Sequence, residues 1–244
     1  MSLGPFELDH IYCMDCLDGL RALPDKSIDV QLTSPPYNMH KHDSYSGRTM
    51  QQKWANAELL NGYAGYDDKM EHDAYARWQH EVLLEMVRVM KDDGVIFYNH
   101  KWRILGNSLM DRRDIVYDVP LRQIIIWKRN GGFNFRPTYF LPTYEVIYMI
   151  AGRDFKLAPK TNVFKDIWEI PQEKHNPHPA PFPLELAERA IRATTGQIVL
   201  DPFIGSGTTA LAAVRLGRHF IGFEHAQCYV DMANARIGGA NESA

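Results

Sequence analysis

The chain has 244 residues, 45% of them hydrophobic and 23% charged, enough for one sizeable domain with a buried core. Charges interrupt every apolar run short of a membrane span, and three cysteines set aside a disulfide framework. The formal net charge of −3 excludes a broadly basic coat, so any contact with nucleic acid has to rest on charge gathered locally. Residues 1–9 have neither a basic start nor an apolar stretch, so no signal peptide is expected, and a reducing cytoplasm is the expected setting.

Residues 28–32 (IDVQL) read as a short buried strand that must turn at Thr33-Ser34-Pro35-Pro36, since paired prolines cannot continue a ladder. Residues 38–70 are polar, glycine-containing and without period, which predicts a long mobile loop. Apolar residues at helical spacing predict a helix over 75–90, with Gly94 as its stop. Residues 95–98 (VIFY), 123–127 (QIIIW) and 145–150 (EVIYMI) read as strands, 183–193 as a helix and 198–200 as a strand. A helix over 208–216, a strand over 219–223 (HFIGF) and a helix over 226–237 follow. Strands alternating with helices predict one α/β domain over 1–237 with a mostly parallel sheet covered on both faces, and residues 238–244 read as a disordered tail.

Charge is concentrated between residues 99 and 136, where eight basic residues face three acids. That patch permits a DNA contact without establishing one.

Two motifs carry chemistry. Asp201-Pro202-Phe203-Ile204-Gly205-Ser206-Gly207-Thr208-Thr209 lies between a strand and a helix, where glycines let the backbone approach a ligand and the helix start offers free N–H donors. Glu224 ends the next strand, where a carboxylate can accept both ribose hydroxyls of an adenosine ligand. No Lys follows the second Gly, so a phosphate loop fits poorly.

The second motif is Thr33-Ser34-Pro35-Pro36-Tyr37-Asn38, at a strand end. The amino group of adenine or cytosine is a poor nucleophile because its lone pair is delocalised into the ring. The Ser34 hydroxyl and the Pro35 carbonyl are suited to accept both amino hydrogens, which pushes the nitrogen toward a tetrahedral shape. Such catalysis is positioning and electrostatics, and Tyr37 supplies a flat face for an extruded base.

Together the motifs resemble those of the DNA amino-methyltransferases, whose catalytic signature is [DNS]-P-P-[YFW] and whose cofactor loop reads F-x-G-x-G-T. The catalytic motif comes first here, an order that resembles the permuted beta group, and the resemblance covers roughly residues 8–237. It implies a Rossmann-like fold and S-adenosylmethionine as cofactor. It places Asp201, Phe203, Gly205, Ser206, Gly207 and Thr208 around the methionine part, with Glu224 on the ribose. Asp15 resembles the family's reader of the cofactor adenine, although Met14 stands where the family often has Gly. His178, in the segment N-P-H-P-A-P-F-P, resembles part of the family's H-P-x-x-x-P stretch beside the cofactor. Ser at the first catalytic position goes more often with cytosine N4 than with adenine N6. The implied catalytic set is Ser34, Pro35, Pro36 and Tyr37.

The implied substrate is double-stranded DNA. Lys41, Arg48 and Lys53 in the long loop, with Arg129 and Arg136, are the expected DNA contacts, and residues 131–144 are the expected base-recognition segment. A homodimer and a companion restriction endonuclease are further implied partners. Cys13 and Cys16 have metal-ligand spacing but no second pair, so no metal is expected. His100 reads either as a satisfied structural histidine or as a pocket residue, and Trp127 and Trp168 as core or as stacking surfaces. An RNA or protein-glutamine methyltransferase is disfavoured by motif order, and a silent DNA-binding module by the intact motifs.

Overall fold

The computed structural model describes residues 1–38, 70–105, 107–130, 137–173 and 182–241. Its framework is an eight-stranded sheet. In chain order the strands are β3 (His10–Cys13), β4 (Ile28–Thr33), β5 (Met90–His100), β8 (Leu121–Lys128), β9 (Tyr144–Ala151), β10 (Ile167–Glu169), β11 (Ile198–Asp201) and β12 (His219–Glu224). Two small hairpins lie outside it, β1 (Ser2–Leu3) with β2 (Phe6–Glu7) and β6 (Arg103–Leu105) with β7 (Ser108–Met110). The helices are α1 (Cys16–Ala22), α2 (His72–Val89), α3 (Leu184–Arg192), α4 (Thr208–Arg215) and α5 (Gln227–Asn241).

The strand order is β10-β8-β9-β5-β4-β11-β12-β3, and only β9 runs against the rest. The C-terminal ends of β3, β12, β11, β4, β5 and β8 therefore share one edge with the start of β9. Ligands in open α/β sheets bind at that edge.

Both faces of the sheet are apolar, so alternate residues of each strand enter different cores. Val95, Phe97, Ile147 and Met149 pack with α3, α4 and Val230 and Ala233 of α5. Ile96, Tyr98, Val146 and Tyr148 pack with α1 and α2 through Leu20, Val82, Leu83 and Met86. Burial on both sides explains why these strands read as continuous hydrophobic runs.

Several boundaries and elements differ from the sequence reading. Helix α2 stops at Val89, and β5 starts at Met90, so Lys91 to Gly94 belong to a strand and not to a helix stop. Strand pairing decides this, because Met90 already faces Ile28 of β4. The last helix runs to Asn241, into the segment expected to be a disordered tail. Strand β3 and helix α1 were not anticipated; Asp15 caps α1 by accepting from the Leu17 and Asp18 N–H groups.

Candidate active site

The turn after β11 is built by close approach. Gly207 has φ 78, and a Cβ there would sit 2.8 Å from the Ala233 Cβ of α5. Gly222 of β12 leaves room for Ile204, whose Cδ1 lies 2.3 Å from where a Cβ would be. Any side chain at either position would lift the turn from the strands it crosses. Arg236 of α5 reaches back to donate to the Ser206 carbonyl and, at 2.9 Å, to the Ser206 hydroxyl.

Asp201 is buried, and its carboxylate accepts from Thr33 Oγ1 at 2.7 Å, Thr209 Oγ1 at 2.6 Å and the Phe203 N–H at 3.0 Å. Burial raises its pKa to about 6 against those three donors. These bonds make Asp201 the fastener between the two motifs. Glu224 accepts from the N–H groups of Gly205 and Ala226, each at 3.0 Å, and burial raises its pKa. The carboxylate keeps lone-pair capacity for a ligand hydroxyl. Strand β3 pairs with β12 through Cys13 and Glu224, which sets the exposed Asp15 beside that carboxylate.

These residues fit S-adenosylmethionine. Helix α4 has Gly207 as its N-cap and so no side-chain cap, leaving N–H donors of the kind an amino-acid carboxylate uses. Glu224 offers acceptors of the kind a ribose uses, and the half-buried Phe203 sets its ring edge-on to Trp78, 5.8 Å between centroids.

The catalytic turn faces this loop from the next strand. Tyr75 of α2 donates to the Pro36 carbonyl at 2.8 Å. Ser34 Oγ lies 2.6 Å from the Tyr37 hydroxyl, which donates to Glu145 Oε2 at 3.0 Å. Asn99 Nδ2 donates to Tyr37 at 2.7 Å and to Glu145 at 3.0 Å, with a longer contact of 3.3 Å to Ser34. Arg129 closes the cluster through a 2.9 Å ion pair with Glu145. Tyr37 is buried, its ring 4.9 Å from that of His100.

A family model described as DNA methylase, of the N6/N4 type, matches residues 28–235. The chain belongs to the N6/N4 DNA methylase family. It is an S-adenosylmethionine-dependent DNA methyltransferase with an α/β fold. It is 28% identical to the type II methyltransferase M.BglII of Bacillus subtilis, over 95% of this chain and 69% of that one. It is 29% identical to the type II methyltransferase M2.MboI of Moraxella bovis, over 97% and 92%. A DNA modification methylase of Thermus thermophilus, solved with S-adenosyl-L-methionine, shares the fold at a TM-score of 0.68 and 24% identity, over 95% of this chain and 93% of that one.

In this DNA methylase the structure brings Ser34, Pro35, Pro36 and Tyr37 to the same sheet edge as Asp201, Phe203, Gly205, Ser206, Gly207, Thr208, Glu224 and Asp15. Arg129 is a correction: its side chain is 11% exposed and paired with Glu145, so it is not a free phosphate contact. Part of the basic stretch around it is paired as well. Arg112 is buried against Asp114 and over the Tyr75 ring, and Arg113 and Lys128 pair with Asp111 and Glu169. Lys41, Arg48, Lys53, Arg136 and His178 lie outside the described residues, as does most of the 38–70 loop. Of the segment 131–144 the described part holds Phe140, 97% exposed, between β8 and β9.

His100 is buried with Nε2 2.7 Å from the Tyr75 hydroxyl, and burial lowers its pKa to about 3. Trp127 and Trp168 are core residues, their indole N–H groups donating to Ile170 and Lys165 carbonyls. Sequence reasoning missed Asn99 and Glu145. The one available signal was Glu145 opening an otherwise apolar strand, a charge whose burial demands a partner.

Proposed function

We propose that this methyltransferase acts on double-stranded DNA at the exocyclic N4 of cytosine, taking the base out of the helix. The observation that carries the reading is the fastening of Thr33 to Asp201, which sets the Ser34-Pro35-Pro36-Tyr37 turn beside the glycine turn of the cofactor loop. Ser34 at the head of the motif, together with the resemblance, favours cytosine over adenine.

S-adenosylmethionine, when bound, would supply an electrophilic methyl on a sulfonium whose sulfur leaves as a neutral thioether, and the methylated amino nitrogen would lose its surplus proton to water. The chain's own residues do the rest. Ser34 Oγ and the Pro35 carbonyl accept the two amino hydrogens, which frees the nitrogen lone pair from the ring. Tyr75 holds the Pro36 carbonyl, so the turn keeps its shape as the base arrives. Glu224 would hold the ribose hydroxyls of that cofactor, Asp15 its adenine, and the start of α4 its carboxylate. Phe140 stands at the same edge, exposed as an apolar wedge for a base step would be.

The type II names of M.BglII and M2.MboI support a companion endonuclease, and a cytoplasmic location goes with it. No described helix is long and apolar enough to cross a membrane. Pairing of two copies is the remaining expectation, and sedimentation showing only monomer would remove it.

The test is to incubate the protein with unmodified genomic DNA and S-adenosylmethionine, digest to nucleosides and weigh the products. N4-methylcytosine supports the reading, N6-methyladenine replaces the base, and an unmodified digest overturns the assignment.

A further inference from the structure

The cluster behind the catalytic turn has a direction. The Glu145 carboxylate is held by Arg129 at 2.9 Å and offers only lone pairs. The Tyr37 hydroxyl has a single hydrogen, and Glu145 Oε2 at 3.0 Å can only accept it. The 2.6 Å contact between Ser34 and Tyr37 then leaves one arrangement: Ser34 donates and Tyr37 accepts. Asn99 fills the second lone pair of the Tyr37 oxygen through its amide nitrogen at 2.7 Å. It adds a second hydrogen to Glu145 at 3.0 Å.

We propose that Glu145, anchored by Arg129, acts through Tyr37 to fix the Ser34 hydroxyl as a hydrogen-bond acceptor toward the substrate amino group. Glu145 is a positioning residue and touches no substrate. A serine with a free hydrogen could turn it toward the base and oppose an amino N–H. Here that hydrogen is already committed inward, so the outward side of Ser34 Oγ is lone pair. The cluster is assembled from four strands, β4, β5, β8 and β9, with Ser34 and Tyr37 just after β4, Asn99 on β5, Arg129 just after β8 and Glu145 on β9. Tyr37, Asn99 and Glu145 are buried, and a preset dipole there acts without waiting for solvent to reorganise.

Glu145→Gln tests the direction at nearly constant shape. Arg129 demands an acceptor, so the new amide oxygen turns to it and the amide NH2 faces Tyr37. The tyrosine hydrogen then goes to Ser34, and the serine hydrogen is released toward the base. The expected result is a kcat lower by about 100-fold, the scale of one misdirected hydrogen bond in a transition state. The KM for DNA and the Kd for S-adenosylmethionine should stay within about threefold of wild type, because ground-state binding is not where the dipole acts. A kcat within about threefold of wild type, or a loss carried by KM alone, overturns the proposal.

Should Glu145→Gln not fold, Tyr37→Phe reads the same chain, since it keeps the ring and removes the relay oxygen. It should lower kcat with cofactor binding kept, and an unchanged kcat overturns the relay.

The inference rests on the proposed amino-group chemistry, and melting separates the two. With the relay intact, the Glu145→Gln/Tyr37→Phe double variant melts higher than the sum of the single losses predicts, whether or not DNA is methylated. Additive losses overturn the relay. An unmethylated wild-type digest with non-additive melting overturns the function reading alone.

Discussion

Thr33 Oγ1 donates to Asp201 Oδ1 at 2.7 Å, a bond that joins residues 168 positions apart and fastens the strand before the catalytic turn to the strand before the cofactor loop. Thr209 and the Phe203 N–H fill the rest of that carboxylate, so the fastener is fully internal. Thr33→Val keeps the shape and removes one donor to a buried charge. It should cost about 1–3 kcal/mol of stability. Because both motifs lean on the bond, kcat should fall and the Kd for S-adenosylmethionine should rise in the same variant. Melting with a cofactor titration checks this, and an unchanged melt would mean the two strands are held without it.

Acid should destabilise the protein through His100. Its folded pKa is about 3 against an ordinary 6.5, so the unfolded chain takes up the proton first, and stability present above pH 6.5 is lost as pH falls toward 3. Asp201 works the other way. Its pKa is raised from 3.8 to about 6, so the folded chain takes up the proton first, and the cost of its buried charge is relieved as pH falls through that window. The His100 shift is larger, so melting temperature should drop between pH 6.5 and 4. His100→Asn should flatten that drop and Asp201→Asn should steepen it; the reverse order of slopes would reject both assignments.

Glu224→Ala removes the acceptor of the Gly205 and Ala226 N–H groups along with the ribose contact. Hydrogen bonds to a charged group contribute about 1.5–3 kcal/mol, so the Kd for S-adenosylmethionine should rise by about tenfold or more. Turnover at saturating cofactor should fall far less. Calorimetric titration decides it, and an unchanged Kd would take Glu224 out of the cofactor site.

Phe140 is 97% exposed on the loop that joins β8 to β9 at the catalytic edge. Stacking of an aromatic on a base contributes about 1–3 kcal/mol, so Phe140→Ala should weaken DNA binding by that amount. Cofactor affinity and melting temperature should not move, since the side chain is almost wholly exposed. DNA binding equal to wild type would leave the ring without a role in recognition.

Most helices and strands were legible because both faces of the sheet are buried, and sustained apolar runs such as QIIIW and EVIYMI survive any local context. The two motifs were legible because proline pairs and a glycine turn restrict the backbone by themselves. Strand β3 was missed because it is four residues long and Ile11 alone of them is buried, too short a stretch to show a period. Helix α1 was missed although Asp15 followed by Asp18 is a helix-start signal that could have been read. The segment from Lys91 to Gly94 looked like a helix stop because loop residues and a glycine prefer turns, and pairing with β4 overrode that preference.

The sequence by itself determined the chemistry on offer: a Ser-Pro-Pro-Tyr turn, a glycine-rich cofactor turn and a strand-end acid, each a local constraint written in neighbouring residues. Only the tertiary structure decided how those pieces act on one another. It moved Arg129 from an expected DNA contact to a largely covered anchor, made Asp201 the tie between the motifs, and set the Tyr37 hydroxyl against Glu145. Hydrogen-bond direction and ion pairing depend on which distant strands become neighbours, and residues 34, 99, 129 and 145 meet only after the sheet has formed.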